Sequence, residues 1–425
     1  MNCSLAGSCG GCSFHKMTYE EQLAQKDERV RSLLRQVLRG DDVYEGILES
    51  PLRFAYRNKM EYSFGDSCKD GPLTLGLHRK KSFYDVIDTD DCRLVHEDFN
   101  QVVRAAASYF KGLGLTYKDK RTHRGYLRYL IVRRSVNTEE MLVDLVTTSQ
   151  PLLKVEKHSQ INDDAIYDAE ALKNGFLKAG PETEELDEGK VFMVFTEIIR
   201  GLEEAGLIKA HIRGILHTVN DSMSDAVKNE GTEVLYGNDS ITEQLLELKF
   251  RISPFSFFQT NSKSAEVLYS KLREYLSDSL KEDMTVYDLY TGTGTIAQLA
   301  APCVKQVIGI EIVPEAVTAA RLNAMMNGIR NCRFVVGDVL KELDRLEEKP
   351  DLIILDPPRD GVHPSALNKI LSYGVEKILY VSCKPESLAR DLVVMQAAGY
   401  SVLRAAAVDQ FPWTSNVEAI CLLSR

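Results

Sequence analysis

No stretch of this 425-residue sequence is apolar for long enough to span a bilayer, and the first residues, Met1 to Met17, lack the basic start and apolar run of a secretory signal. The chain is therefore expected in a reducing cytoplasm, away from membranes. An even cysteine complement is lacking too. Nine cysteines in a long chain of this kind argue against a disulfide framework and leave buried thiols, metal ligands or nucleophiles. There is no surplus of positive charge: 62 Asp and Glu against 52 Lys and Arg give a net charge of -10. A nucleic-acid partner would then need a confined basic surface. Internal repeats and low-complexity tracts are absent, and 44% hydrophobic with 27% charged residues is the composition of a folded protein. At ~150 residues per domain, the length allows two or three domains.

What is present changes character along the chain. Cys3, Cys9 and Cys12 crowd one end, with Gly7, Gly10 and Gly11 between them to let the backbone fold tightly round a small object. A helical segment follows, with Leu23, Val30, Leu33, Leu34, Val37 and Leu38 as its apolar face. From Ser50 to Leu248 the pattern is mixed. Arg128 to Val132 and Met141 to Val146 read as an antiparallel hairpin, and the acidic run Pro181 to Gly189 as a solvated loop. From Arg251 onward, short apolar strands alternate with helices: Thr285 to Tyr290, Gln306 to Ile312, Arg333 to Asp338, Asp351 to Pro358 and Lys377 to Cys383. Ser401 to Val408 and Val417 to Leu423 close the series. Seven such strands predict a doubly wound, mostly parallel sheet with helices on both faces.

Three motifs fall at the carboxyl ends of these strands, where doubly wound folds bind nucleotides. In Asp288-Leu-Tyr-Thr-Gly-Thr-Gly-Thr295, Gly292 and Gly294 allow a tight turn and a ligand close to the backbone. Glu311, ending the next strand, can accept both hydroxyls of a ribose. Ala297 stands where the dinucleotide fingerprint has its third glycine, so a nucleoside without a pyrophosphate, such as S-adenosylmethionine, is favoured over NAD. Asp356-Pro-Pro-Arg-Asp-Gly-Val362 forms a stiff loop able to offer carbonyls to a planar base. In Val381-Ser-Cys383-Lys384 a thiol faces the same cleft, where a cation or a helix amino end favours the thiolate. A methyltransferase needs a thiolate when its acceptor is C5 of a pyrimidine, because addition to C6 turns C5 into an enolate carbon. The C5 proton must then leave before the thiol does, and Glu418, the ionisable residue in an otherwise apolar final strand, is the candidate base.

These motifs resemble the RNA uracil-5-methyltransferases that use S-adenosylmethionine. The match runs through Ser256-Phe-Phe-Gln259-Thr-Asn261, Asp288-Leu-Tyr290, Gly309-Ile-Glu311, Asp356-Pro-Pro-Arg359, Ser382-Cys383 and Val417-Glu418. The resemblance implies a Rossmann-like class I methyltransferase domain over residues 251–425, an α/β fold, preceded over residues 1–250 by a mixed α/β iron-sulfur region that carries RNA contacts. It implies that Gln259, Tyr290, Glu311 and Asp356 line the pocket for cofactor and target base, with Cys383 as nucleophile and Glu418 as base. Some relatives carry a small β-barrel RNA-binding domain ahead of the cysteines, and none is expected in this chain. A His is common in the family where Trp413 or Asn416 stands here.

Cys3, Cys9 and Cys12 supply three soft ligands. Cys92, in Asp90-Asp-Cys-Arg-Leu, is the first candidate for a fourth and Cys68 the second. Four thiolates suit zinc or an iron-sulfur cluster, and the spacing does not choose between them. The resemblance does, because ribosomal-RNA members carry a [4Fe-4S] cluster on cysteines spaced this way. It therefore implies methylation of a uridine in 23S rRNA ahead of tRNA, and a monomer is expected. RNA contact is assigned to Lys118, Lys120, Arg121, Arg124, Arg128, Arg133 and Arg134, interleaved with Tyr117, His123, Tyr126 and Tyr129, or to Arg53 to Lys59. Two rivals stand beside this reading. An amino-group methyltransferase would use Asp356-Pro-Pro but has no use for Cys383 or Glu418, and a non-catalytic RNA-binding assembly factor would need neither.

Overall fold

A computed structural model of the chain describes residues 3–69, 71–155, 183–225 and 227–425. Its larger sheet has eight strands, in the order Tyr44–Leu48, Ser401–Val408, Glu418–Ser424, Lys377–Ser382, Leu352–Leu355, Thr285–Leu289, Gln306–Glu311, Cys332–Val336. All run parallel except Glu418–Ser424, which is antiparallel to both its neighbours. The central strands are mostly apolar because both faces are covered, with Asp288 the buried exception on Thr285–Leu289. Val286, Ile354, Leu379 and Val381 face one core, and Tyr287, Leu289, Ile353 and Ile378 the other. Helices Ser262–Ser277, Thr295–Ala300 and Pro314–Met326 pack on the first face; Tyr19–Leu34, Pro364–Ser372 and Pro385–Ala397 pack on the second.

All seven strands read from the sequence are in this sheet, but it also contains Tyr44–Leu48, drawn from the region assigned to residues 1–250. That assignment needs correcting, since residues 19–48 build part of the methyltransferase layer. The cause is long-range burial. Val30 and Leu34 of the first helix are fully enclosed in the second-face core, and Tyr44–Leu48 completes the edge beside Ser401–Val408. A buried ion pair ties the helix down, with Lys26 Nζ 2.6 Å from Asp409 Oδ1.

The second sheet has seven strands, in the order Thr232–Gly237, His211–Val219, Glu140–Thr147, Leu127–Arg134, Lys59–Asp66, Leu73–His78, Val86–Asp88. Leu127–Arg134 and Glu140–Thr147 form the antiparallel hairpin expected from their alternation. Helices Glu97–Leu113 and Glu188–Glu204 cover this sheet through Phe99, Val103, Phe110, Phe195 and Ile199. The acidic run is not simply a solvated loop. Thr183–Glu185 is a short strand and Asp187 caps the second of these helices, accepting a hydrogen bond from Lys190 N at 3.2 Å. Carboxylates are favoured at a helix amino end by its dipole. Pro181 and Glu182 lie outside the described residues. Among the described residues no helix is long and apolar enough to cross a membrane.

Candidate active site

The carboxyl edge of the large sheet gathers the motif residues. After Thr285–Leu289 the chain turns at Tyr290, whose φ of +67° is unusual for a residue with a side chain. The N–H groups of Tyr290 and Thr291 both donate to Ile310 O, at 2.9 and 3.0 Å, pinning the turn to the next strand. At Gly292 (φ +54°) an added Cβ would meet nothing within 4 Å, so the turn opens there onto free space. Gly294 differs. Its added Cβ would stand 2.7 Å from Phe334 Cζ, and one on Gly309 would strike the same ring. Of the two glycines expected to admit a ligand, Gly292 is so placed, while Gly294 serves the turn and the packing of Phe334.

Glu311 is held at its strand end by two backbone donors. Gly292 N–H reaches Oε2 at 3.1 Å and Val313 N–H reaches Oε1 at 3.0 Å. A carboxylate oxygen accepts more than one hydrogen bond, so both retain capacity for a pair of vicinal hydroxyls. Beside it Ile312 is 62% exposed, an apolar surface on which a purine ring can lie. Ile312 was not singled out from the sequence; its only signal is its position directly after Glu311.

The reactive groups lie on the adjoining strands. Ser382 pairs with Ala419, which sets Cys383 and Glu418 at neighbouring ends of antiparallel strands. Asp356 follows the next strand over, its N–H donating to Leu289 O at 3.3 Å. Burial pushes the Glu418 carboxyl up to about 8; Asp356 adds to the rise and Arg359 opposes it. Asp356 itself is pushed up to about 7, by burial and then by Asp288. The half-buried Cys383 thiol is pushed up to about 11, first by loss of water and then by the Glu418 and Asp356 carboxylates. Arg359 works the other way, through its charge and a hydrogen bond. The cation beside the thiol is thus Arg359, whereas Lys384 is exposed.

Asp356, Cys383 and Glu418 are therefore brought together, with Tyr290 and Glu311 farther along the same edge and Gln259 linked to them through Tyr269. Tyr269, enclosed on the helix Ser262–Ser277, joins them: Asp356 and Glu418 raise its phenol further after burial has done so, and Gln259 is hydrogen-bonded to it. Sequence reasoning missed Tyr269, which looks like any core tyrosine of an amphipathic helix. It also gave Arg359 no role, although the Asp356-Pro-Pro-Arg359 motif contained it.

The segment leading into Glu418 is fastened by distant residues. Trp413 N–H donates to Gln22 Oε1 at 2.7 Å and its indole N–H to Arg53 O at 2.6 Å, and its ring stacks on Phe54 at 4.9 Å. Tyr56 donates to Pro412 O and Lys26 to Phe411 O, both at 3.0 Å. Trp413 also belongs to a small apolar cluster against which Cys12 and Cys92 pack. Those two thiols line one cavity of about 600 Å³ together with Cys3 and Cys9, and with Arg57. Burial and the other three thiols push Cys12 up to about 12. Gly11 N–H donates to Cys9 Sγ at 3.3 Å. Cys68 does not line the cavity and is exposed. Among the described residues no three His, Cys, Asp or Glu side chains are grouped so as to hold a metal ion.

Three of the seven cations in the basic stretch expected to meet RNA are consumed inside the protein. Arg128 is buried and donates to Asn220 O and Ser224 O at 2.6 and 2.9 Å. Arg134 is buried against Asp98 at 2.8 Å, and Arg133 holds Pro254 O at 3.1 Å and Ser256 O, bracing the Ser256-Phe-Phe-Gln259 loop. Tyr126 and Tyr129 are also buried. A strand residue's side chain points to one sheet face or the other, and here a second layer of chain covers the arginines. Of the seven cations in this stretch, Lys118, Lys120, Arg121 and Arg124 retain some exposure, as do Arg53, Arg57 and Lys59 of the second candidate segment.

Comparison with known proteins bears on the family and the fold. The family model for tRNA (uracil-5-)-methyltransferase matches residues 225–425. The chain is 44% identical over 423 residues to an uncharacterized RNA methyltransferase of Caldanaerobacter subterraneus subsp. tengcongensis, covering 100% of this chain and 84% of that one. It is 43% identical over 423 residues to another from Clostridium acetobutylicum, covering 100% and 83%. Its fold is similar to that of the Pyrococcus abyssi tRNA (uracil-54, C5)-methyltransferase crystallised with S-adenosyl-L-homocysteine, with a TM-score of 0.70 at 24% identity over 97% of this chain and 85% of that one.

Proposed function

The chain belongs to the RNA uracil-5-methyltransferase family, and from that membership we propose that it methylates one uridine by covalent catalysis, with Cys383 as nucleophile and Glu418 as base. Membership makes it an S-adenosylmethionine-dependent enzyme acting on uracil C5 in RNA. The observation that carries the covalent reading is the company Cys383 keeps: a buried carboxyl group and an arginine meet the thiol at adjoining strand ends. An amino-group methyltransferase, whose acceptor brings its own lone pair, has no use for this trio.

When bound, S-adenosylmethionine supplies the electrophilic methyl group that C5 accepts. Glu311 and the free space at Gly292 suit its ribose, and Ile312 its purine. Cys383 Sγ forms a bond to C6, and the electrons of the C5–C6 double bond move to C5 and the O4 carbonyl. Once C5 carries the methyl group, Glu418 takes the C5 proton, the double bond reforms, and the thiolate leaves C6. Arg359 favours the thiolate at both ends of this sequence. The raised pKa of Glu418 suits its task, because a buried carboxylate with little stabilisation is the stronger base, whereas the raised thiol makes the stabilisation that Arg359 gives the thiolate a requirement of the attack. With RNA tritiated at uridine C5, tritium should enter water one for one with methyl groups entering RNA. Methylation without release would place the methyl elsewhere and overturn the proposal. Running the assay on 23S rRNA and tRNA transcripts tests the preference for the former, which rests on the cysteine quartet.

That quartet is proposed to hold a [4Fe-4S] cluster through Cys3, Cys9, Cys12 and Cys92. Support comes from their shared cavity and from the mutual repulsion that their thiolates would suffer with no cation between them. A cubane spaces its ligands around its own iron and sulfide core, so the four sulfurs need not close on a single ion. Anaerobically purified protein should be brown, with broad absorbance at ~400 nm from sulfur-to-iron charge transfer. Cys9→Ser should bleach it, and colourless protein holding zinc would defeat the cluster.

A further inference from the structure

We propose that the loop of residues 79–85, with Lys120 and Arg121, forms a docking platform for unpaired bases of RNA outside the catalytic cleft. It rests on the reading of RNA as substrate and supplies a surface that the buried arginines cannot. Phe83 and Tyr84 are 61% and 47% exposed, and their rings meet edge to face at 5.4 Å. Single exposed apolar residues are ordinary, but these two adjoin and each has its own cation. Lys120 Nζ stands 4.2 Å from the Phe83 ring centre and the Arg121 guanidinium 4.5 Å from that of Tyr84. Lys80 and Lys81 are exposed on the same loop. Nearby carboxylates are already engaged, Asp85 with Arg79 and Asp225 with Lys120.

The platform is built before any ligand arrives. Leu73–His78 and Val86–Asp88 pair on either side of the loop, and Ser82 Oγ accepts from Asp85 N at 3.0 Å. Lys120 Nζ donates to Phe83 O at 2.9 Å, and Lys80 N donates to Ser8 O at 2.8 Å, strapping the loop to the cysteine segment. A side chain that is already ordered loses little entropy on binding. Exposed rings beside cations fit the faces of splayed bases and the phosphates between them, a match for single-stranded RNA rather than duplex. Among the described residues two further aromatics are exposed: Phe257, which lies in the Ser256-Phe-Phe-Gln259 motif, and Tyr236, on the edge strand Thr232–Gly237, with the Arg200 guanidinium 4.6 Å from its ring centre.

Fluorescence anisotropy of the full chain with a labelled oligouridine strand, and with a duplex of the same length, tests the platform. Phe83→Ala and Tyr84→Ala should each weaken single-strand binding about tenfold, the usual worth of one stacked base, with little change on duplex. Lys81→Glu should flatten the salt dependence of binding. All three positions are exposed, and unchanged melting temperatures and unchanged affinity for S-adenosylhomocysteine establish that the variants are folded. Equal single-strand affinity of wild type and variants overturns the platform alone and leaves the surface to some other partner, such as a protein. A wild-type chain that binds neither RNA overturns the substrate reading with it.

Discussion

Cys383→Ala should reduce methyl transfer by at least about a thousandfold, because it removes the only step that makes C5 nucleophilic. Positioning the uracil beside a methyl donor does not substitute for this. C5 of an intact uracil carries no useful lone pair, so proximity alone has nothing to accelerate. Tritium release from C5 and methyl incorporation should fall together, and binding of S-adenosylhomocysteine should persist, since the site proposed for it lies along the edge at Gly292 and Glu311. Cys383→Ser is expected to fail almost as badly. A hydroxyl in the same place is a far weaker acid than a thiol, and the burial and carboxylates that already push the thiol up to about 11 would oppose its ionisation further. A Cys383→Ala enzyme with full activity would end the covalent mechanism and return the amino-group acceptor to consideration.

The large sheet was legible because its central strands are buried on both faces and so read as short, mostly apolar runs alternating with helices. Tyr44–Leu48 was not. Its partners, from Ala405 to Val408, are hundreds of residues away, and a five-residue strand has no periodicity of its own to mark it as an edge. The same distance hid the role of the first helix, whose apolar stripe was visible but whose destination was not. Charge was the least legible feature. Arg128, Arg133 and Arg134 stand in a run of cations that composition reads as a surface, yet the carbonyls of residues 220, 224 and 254 and the Asp98 carboxylate take them up. A sequence shows that an arginine is present, and its partners come from wherever the fold returns. In the site, residues with a special position in a motif could be named as candidates. Arg359, which acts on the electrostatics of Cys383 and Glu418, and Tyr269, whose phenol Asp356 and Glu418 raise, could not.

Glu418→Gln should trap the enzyme on its RNA. Addition of Cys383 to C6 and acceptance of the methyl group do not call on Glu418, but the thiolate cannot leave until the C5 proton is gone. A complex stable in denaturing gels, containing equal amounts of protein, RNA and incorporated methyl, should accumulate in the Gln variant and be absent from Cys383→Ala. A stability measurement separates this from damage to the fold. The Glu418 carboxyl is raised from the ~4.3 of an unfolded chain to about 8, so the native state favours its protonated form. That contribution is fully present below ~4.3 and is lost as the pH rises through about 8, where a charge must be held without water. Glutamine never ionises. The variant should therefore melt at about the wild-type temperature at ~pH 5 and above it at ~pH 9, by a margin worth a few kcal/mol at most. A variant that melts earlier at both pH values and yields no adduct would assign Glu418 to packing and remove it from the chemistry. A variant that is more stable in alkali and arrested on RNA would show one carboxyl group paying in stability for its strength as a base.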